Sequence, residues 1–192
     1  RDAEFLARQG RADVRLLHPI TPRRPHTDAP LALLRARDAL VAARTQCINT
    51  ARGLVKPTGT RLPACSAESF PRQAAPHVPA ALCPVLTPLL ATIAHLTTQI
   101  RAYDQQIQHQ LLPQYPVAQR LAHELAGVGP LTALAVVLLI DDPARFRQSR
   151  DVGAYFGLVP KLDASGDATP QLRISKAGDP LGRRLLVSAA HY

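Results

Sequence analysis

Proline decides where this chain can be helical. Each of the 18 prolines among the 192 residues removes a backbone donor and crowds the preceding turn, so helix interiors tend to exclude it. Pro19, Pro22, Pro25 and Pro30, interleaved with Arg23, Arg24 and His26, predict a basic, loop-like linker over residues 16–30. Pro57, Pro63, Pro71, Pro76 and Pro79 predict a second irregular connection over residues 56–84, with room for a short helix near Ala67 to Phe70. Pro113 and Pro116 mark a third break.

The stretches between these breaks carry helical periodicity. Leu33, Leu40, Cys47 and Leu54 recur every seven residues beside a second row of Leu34, Val41, Ile48 and Val55, which predicts a helix from Leu31 to Val55 with one apolar stripe. Leu86, Ile93, Ile100 and Ile107, with Leu89, Leu96 and Tyr103 alongside, predict a second helix from Val85 to Leu112. Heptads sustained that long fit a coiled coil, and the two helices would pack antiparallel on each other or on a second copy of the chain. Two core helices of a globular bundle are the alternative. An amphipathic segment, Asp2 to Arg8, precedes them.

Beyond Pro116 the composition becomes that of a small helical unit. Val117 to Leu125, Leu131 to Ile140 and Asp151 to Phe156 read as helices, Asp142-Pro143 and residues 157–160 as turns, and Leu181 begins a last helix. The fold class expected is therefore mainly α: a long antiparallel, coiled-coil-like helical pair followed by a small helical domain. The corresponding division is 1–30, 31–116 and 117–192.

Gly127-Val128-Gly129 sits between two of these helices. Two glycines allow positive φ and a close backbone approach, and the helix that follows points its first amides and its dipole at an anion. The pattern suggests a helix-hairpin-helix element that grips DNA backbone; a tight turn with a helix cap is the alternative. Arg145, Arg147 and Arg150 follow at once. The candidate nucleic-acid contacts are Gly127, Val128, Gly129, Thr132, Arg173, Lys176, Arg183 and Arg184, cations of the kind that neutralise phosphates without reading sequence.

Charge agrees with a polyanionic partner: 23 Lys and Arg against 14 Asp and Glu give +9, and the pI is about 10.3. No run approaches the roughly 18 to 20 uninterrupted apolar residues of a membrane-spanning helix, so no membrane is expected. Cys47, Cys65 and Cys83 are odd in number and lack metal-ligand spacing, which predicts reduced thiols. The first ten residues have no signal-peptide pattern.

One loop carries a nucleophile candidate. Ser165, within Asp163-Ala164-Ser165-Gly166, lies among small residues where a hydroxyl can stand clear of its own backbone. Such a hydroxyl can attack a phosphodiester and hold the strand as a phosphoserine ester, given a cation to stabilise the developing charge. A structural Ser-Gly turn is the plain alternative, and Ser149, Ser175 and Ser188 are competitors, Ser175 reading rather as a helix cap or phosphate contact.

LAGVGPLTALAVVLLIDDPARF, RDVGAYFGLVP, the ASG loop and ISKAGDPLGRRLL resemble, in order and spacing, the C-terminal domain of the DEDD-type insertion-sequence transposases related to the Piv DNA invertases. RDAEFLAR resembles the end of that family's RuvC-like domain, and RARDALVAARTQCINTARGLVKPTGTRLP its coiled-coil segment, so the resemblance spans almost the whole chain.

What the resemblance implies is DNA recombination by an insertion-sequence transposase, guided by a structured RNA that pairs with donor and target DNA, in a cytoplasmic, nucleoid-associated setting. It places the serine nucleophile at Ser165 and the last of four acidic Mg²⁺ ligands at Asp2. Dimers or tetramers would form through the coiled coil. The other three ligands fall outside the 192 residues, so the chain reads as a fragment expected to be inactive alone and to bind Mg²⁺ poorly by itself. A non-catalytic module that binds DNA or RNA and dimerises is the competing reading.

Overall fold

The computed structural model describes residues 2–14, 22, 24–163, 170 and 172–191. These form eight α-helices: α1 (Asp2–Ala12), α2 (Pro25–Val55), α3 (Phe70–Ala74), α4 (Cys83–Gln106), α5 (Pro116–Glu124), α6 (Pro130–Ile140), α7 (Asp151–Tyr155) and α8 (Pro180–Ala189). Short 3₁₀ turns join several of them, and among the described residues the sole β pairing is an isolated antiparallel bridge between Pro160 and Ile174. The chain is mainly α, as its periodicity predicts.

α2 and α4 pack antiparallel within the one chain. Arg37 of α2 bonds Asp104 near the end of α4 at 2.6 Å, and Arg44, two turns further along α2, reaches back to Thr97 at 3.4 Å. Leu86, Ile93, Ile100 and Ile107 are all buried, as are Leu34, Ile48 and Val55 with Ala51. The companion row on α2 lies at the margin of the contact: Leu33, Leu40 and Cys47 are half-buried and Leu54 is 42% exposed. One neighbouring helix covers one stripe, and the Leu34 row takes it. The Leu34 row and the Leu86 row are thus occupied inside the chain.

α2 begins six residues earlier than the prolines suggest. Pro25 takes the first helical position, where its missing N–H is no loss, and Pro30 forfeits one hydrogen bond in the second turn. The early start is held by partners distant in sequence. Thr27 is buried with its hydroxyl donating to the Arg24 carbonyl at 2.8 Å, and the Arg24 amide donates to the Asp141 carboxylate at 3.1 Å. Asp141 itself sits at φ 60°, ψ −67°, closing a tight turn in which the Asp142 amide bonds the Ile140 carbonyl at 2.7 Å. This is the rare, strained form of γ-turn, fixed between the end of α6 and the start of α2.

Two apolar cores lie along the helical pair. One gathers Ile48, Ala51 and Val55 of α2, Leu62, Phe70 and Ala74 of the connection, and Leu86, Leu90 and Ile93 of α4. The other joins Leu31 and Leu34 of α2 to Ile107 and Leu111, to Ala118 of α5, to Ala133, Leu134, Ala135, Leu138 and Leu139 of α6, and to Phe156 and Leu181. Residues on both sides of Pro113 and Pro116 therefore share one core. A π-helical turn, Ile107–Leu111, continues α4 and turns both of its end residues into that core.

The helical run Ala80–Gln114 is long and apolar enough to cross a membrane by length and composition alone, although no uninterrupted apolar run marks it in the sequence. Its buried row faces α2, and it carries the Arg37–Asp104 and Arg101–Glu68 ion pairs.

Candidate nucleic-acid interface

α5 ends at Glu124, with Leu125 as its extended cap residue, and α6 starts at Pro130, so the Gly127-Val128-Gly129 turn is as short as the sequence suggests. One of its glycines needs left-handed backbone: Gly127 has φ 79°, whereas Gly129 is extended at φ −77°, ψ 172° and serves as the residue before the helix. Gly129 has no side chain to cap α6, and the amides of Leu131 and Thr132 fall in the first turn, where intrahelical partners are lacking. An anion can therefore be received there. Val128 packs into the core, and Thr132 is buried, so its side chain faces the protein interior.

Ser165 lies outside the described residues, within 164–169, but the stem that carries its loop is described. The Lys161 amide donates to the Arg173 carbonyl at 3.0 Å, the Ser175 amide to Val159 at 2.8 Å, and the Lys176 amide to Gly157 at 3.0 Å. These bonds close a short antiparallel stem, so the serine excursion begins and ends beside Lys161 and Arg173. Ser175 belongs to this stem and caps no helix; the cap of α8 is Asp179, whose carboxylate accepts the Leu181 and Gly182 amides at 3.0 and 3.1 Å.

Close backbone packing locks the stem onto α7 and α8. Gly157 has φ 68°, and a Cβ on Gly178 would lie 2.1 Å from the Tyr155 carbonyl oxygen. The Tyr155 hydroxyl in turn donates to the Leu139 carbonyl at 2.8 Å, satisfying one of the last carbonyls of α6.

The basic residues divide by what holds them. Lys176, Arg183 and Arg184 line a shallow pocket together with Ile174, Pro180 and Ser188. Arg183 is half-buried and donates to the Phe156 and Gly178 carbonyls at 3.3 and 3.0 Å, and Arg184 pairs with Asp38 of α2. Both are therefore engaged by groups of the chain itself, Arg183 in a half-buried setting and Arg184 at the surface. Lys161, Arg173 and Lys176 are exposed and, among the described residues, have no side-chain partner. Arg147 and Arg150 share that state, whereas Arg145 lies over the rings of Tyr155 and Phe146, at 5.2 and 5.9 Å.

Lys161 escapes a search for basic clusters because its stem partners lie a dozen residues away. Asp179 is missed as the cap of α8, a role the sequence reading gives to Ser175, although Asp-Pro before a helix is the signal that could have found it; its pairing with Arg35 has no local signal. At the other end of the chain, Asp2 is an exposed carboxylate in the first turn of α1. Among the described residues no three His, Cys, Asp or Glu side chains converge in a group able to hold a metal ion. Asp2 and the described residues therefore do not fit a Mg²⁺ site.

A sequence model described as "Transposase IS116/IS110/IS902 family" matches residues 119–192, which covers the glycine turn, the serine loop and α8. The transposase for insertion sequence element IS1328 of Yersinia enterocolitica is 33% identical over 177 residues, 91% of this chain and 52% of that protein. The chain belongs to the IS116/IS110/IS902 transposase family. The transposase for insertion sequence element IS1111A of Coxiella burnetii is 34% identical over 165 residues, 83% of this chain and 45% of that protein. The chain thus spans about half the length of the curated relatives it matches. The helical pair lies outside the stretch matched by the IS116/IS110/IS902 family model, but the alignment to the IS1328 transposase takes in most of the chain.

Proposed function

We propose that this chain is the DNA-docking and nucleophile-bearing part of an insertion-sequence transposase, with Ser165 as the residue that joins DNA covalently. The observation that carries the reading is the stem closed at Lys161 and Arg173: the two cations that flank the Ser165 segment in sequence stand side by side with no side-chain partner among the described residues, and Lys176 lies on the same stem. Cations so placed can hold the phosphates on either side of the attacked bond and stabilise charge as it develops on phosphorus-bound oxygens. Membership of the transposase family supports the same assignment.

In the reaction proposed, the Ser165 oxygen forms a bond to phosphorus while the bond from phosphorus to one strand oxygen breaks. The released strand hydroxyl takes up the proton that the serine loses, directly or through water. Attack by a second strand's hydroxyl reverses this chemistry on a new partner and frees the serine, so one phosphodiester is exchanged for another without net hydrolysis. The uncapped start of α6 supplies a second backbone contact that holds the duplex in register. A structured guide RNA, as the resemblance implies, would meet the same basic surfaces.

The test is an SDS-resistant protein–DNA adduct, formed on supercoiled donor DNA with the N-terminal half of the IS1328 transposase supplied in trans, and mapped by peptide mass spectrometry. The expected result is an adduct on Ser165 that Ser165→Ala abolishes while DNA binding at low salt persists. Strand exchange that survives Ser165→Ala would leave the chain as a binding module and overturn its catalytic role.

A further inference from the structure

We infer that the chain holds a second phosphate-binding site at the far tip of the helical pair, formed by Arg52, Lys56 and Arg61 around the turn at Gly59, and that its ligand is nucleic-acid backbone. The inference rests on the nucleic-acid reading above and extends it to a part of the chain that reading does not use. The three cations, with Gly59 and Thr60, line a recess of about 480 Å³ whose lining contains no carboxylate.

The tip is built to hold one cation fixed and leave two free. Arg52 donates to the Pro63 carbonyl at 3.2 Å, and its guanidinium sits 5.3 Å from the centre of the Phe70 ring, itself fully buried. Lys56 lies one helical turn on from Arg52, so both project on the same side of α2. Gly59, at φ 77°, turns the chain back so that Arg61 faces the same recess. The side chains of Lys56 and Arg61 are exposed and, among the described residues, have no hydrogen-bond or ion-pair partner.

A structural purpose for these charges is too small to explain them. Cations at a helix C-terminus complement its dipole, but that dipole amounts to about half a negative charge, and three full positive charges exceed it several-fold. The surroundings do not neutralise the rest. From Ala39 to Tyr103 the sequence has a single acid, Glu68, against the six cations Arg44, Arg52, Lys56, Arg61, Arg72 and Arg101. Glu68 is already paired with Arg101 at 2.7 Å.

The spacing favours a long polyanion over a small one. Lys56 is 18 residues beyond Asp38, the partner of Arg184, which is about 27 Å along the α2 axis. A backbone with phosphates at regular intervals can reach both the tip and the Arg184–Asp38 region at once, and it gains affinity from each phosphate neutralised.

The chain's lysines make the test direct, because there are three: Lys56 at the tip, and Lys161 and Lys176 at the serine-loop stem. Acetylation of the 192-residue chain by an amine-reactive ester, with and without a random-sequence DNA duplex long enough to span α2, would be read lysine by lysine by mass spectrometry. The expected result is protection of Lys56 together with Lys161 and Lys176. In parallel, the double substitution Lys56→Ala and Arg61→Ala would lower the slope of log affinity against log salt by roughly 1.8, the value for two lost phosphate contacts. Protection of Lys161 and Lys176 with Lys56 labelled as in free protein overturns the tip site and leaves the stem reading intact. Protection of Lys56 alone supports the tip and overturns docking at the stem, and protection of none overturns both.

Discussion

Arg35 of α2 and Asp179 at the start of α8 form an ion pair at 2.9 Å, joining residues 144 apart in sequence. The other Asp179 oxygen caps α8 by accepting the Leu181 and Gly182 amides. Burial works against the charged carboxylate, but the Gly182 amide, the Arg35 guanidinium and the Leu181 amide outweigh it and hold the group below the usual Asp range. A depressed folded-state pKa contributes stability that is present above the unfolded value and is lost as pH falls through the folded one. Melting temperature should therefore drop on acidification below about pH 4, in part through this residue. Asp179→Ala should cost about 1 to 2 kcal/mol at neutral pH through the lost cap and weaken that acid dependence. Thermal melts of both proteins from neutral to acid pH would check it.

Gly182 and Gly178 are fixed by space. A Cβ on Gly182 would lie 2.5 Å from Leu139 Cδ1 and 2.6 Å from the Phe156 ring, and one on Gly178 would strike the Tyr155 carbonyl oxygen and Phe156 backbone. Gly182→Ala presses on side chains, which can yield in part, so a loss of about 1 to 3 kcal/mol is expected. Gly178→Ala presses on backbone and should be the more damaging of the two. Chemical denaturation measures both, and equal losses would contradict this view of the contacts.

How much of this was legible beforehand follows from range. The row Leu86, Ile93, Ile100, Ile107 announces the buried face of α4 because helical spacing is local information, and the structure buries all four. The early start of α2 was hidden because Pro25 and Pro30 argue locally against it, while its support comes from Asp141, 117 residues from Arg24. The candidate site shows the same division. Lys176, Arg183 and Arg184 read alike as basic residues, but Arg183 and Arg184 are claimed by partners that only the tertiary fold brings near, and Lys161 becomes relevant only through its pairing with Arg173.

That division separates two arginines experimentally. Arg183 donates to two backbone carbonyls at the α7–α8 contact, so Arg183→Ala leaves half-buried acceptors short of partners and should cost about 1 to 2 kcal/mol of stability. The exposed Arg173 side chain has no such partner, so Arg173→Ala should leave the melting temperature within about 2 °C and instead reduce the salt slope of DNA binding by about 0.9. Thermal melts combined with fluorescence anisotropy would separate the two effects. A large loss of stability in Arg173→Ala would show that the stem depends on a contact of that side chain.

Arg44 presents the opposite case, a charge whose removal should help. Its Nε is buried without a hydrogen-bond partner, and its one bond across the seam, to the Thr97 hydroxyl, is long at 3.4 Å. Thr97 does not depend on it, because the same hydroxyl donates to the Ile93 carbonyl at 2.9 Å. Glu68 does not depend on it either, since Arg101 is its direct partner. Arg44→Met keeps the long stem that packs between α2 and α4 and deletes the unsatisfied donor, whose burial opposes folding by about 1 to 3 kcal/mol. Part of that gain is offset by the lost bond to Thr97 and by the attraction of the more distant Glu68. The net expectation is a gain of up to about 1 kcal/mol, or up to about 4 °C in melting temperature. Urea denaturation of Arg44→Met beside Arg44→Ala distinguishes the roles of stem and charge: the alanine variant should be destabilised by lost packing, and destabilisation of the methionine variant as well would mean that the guanidinium itself holds the helical pair together.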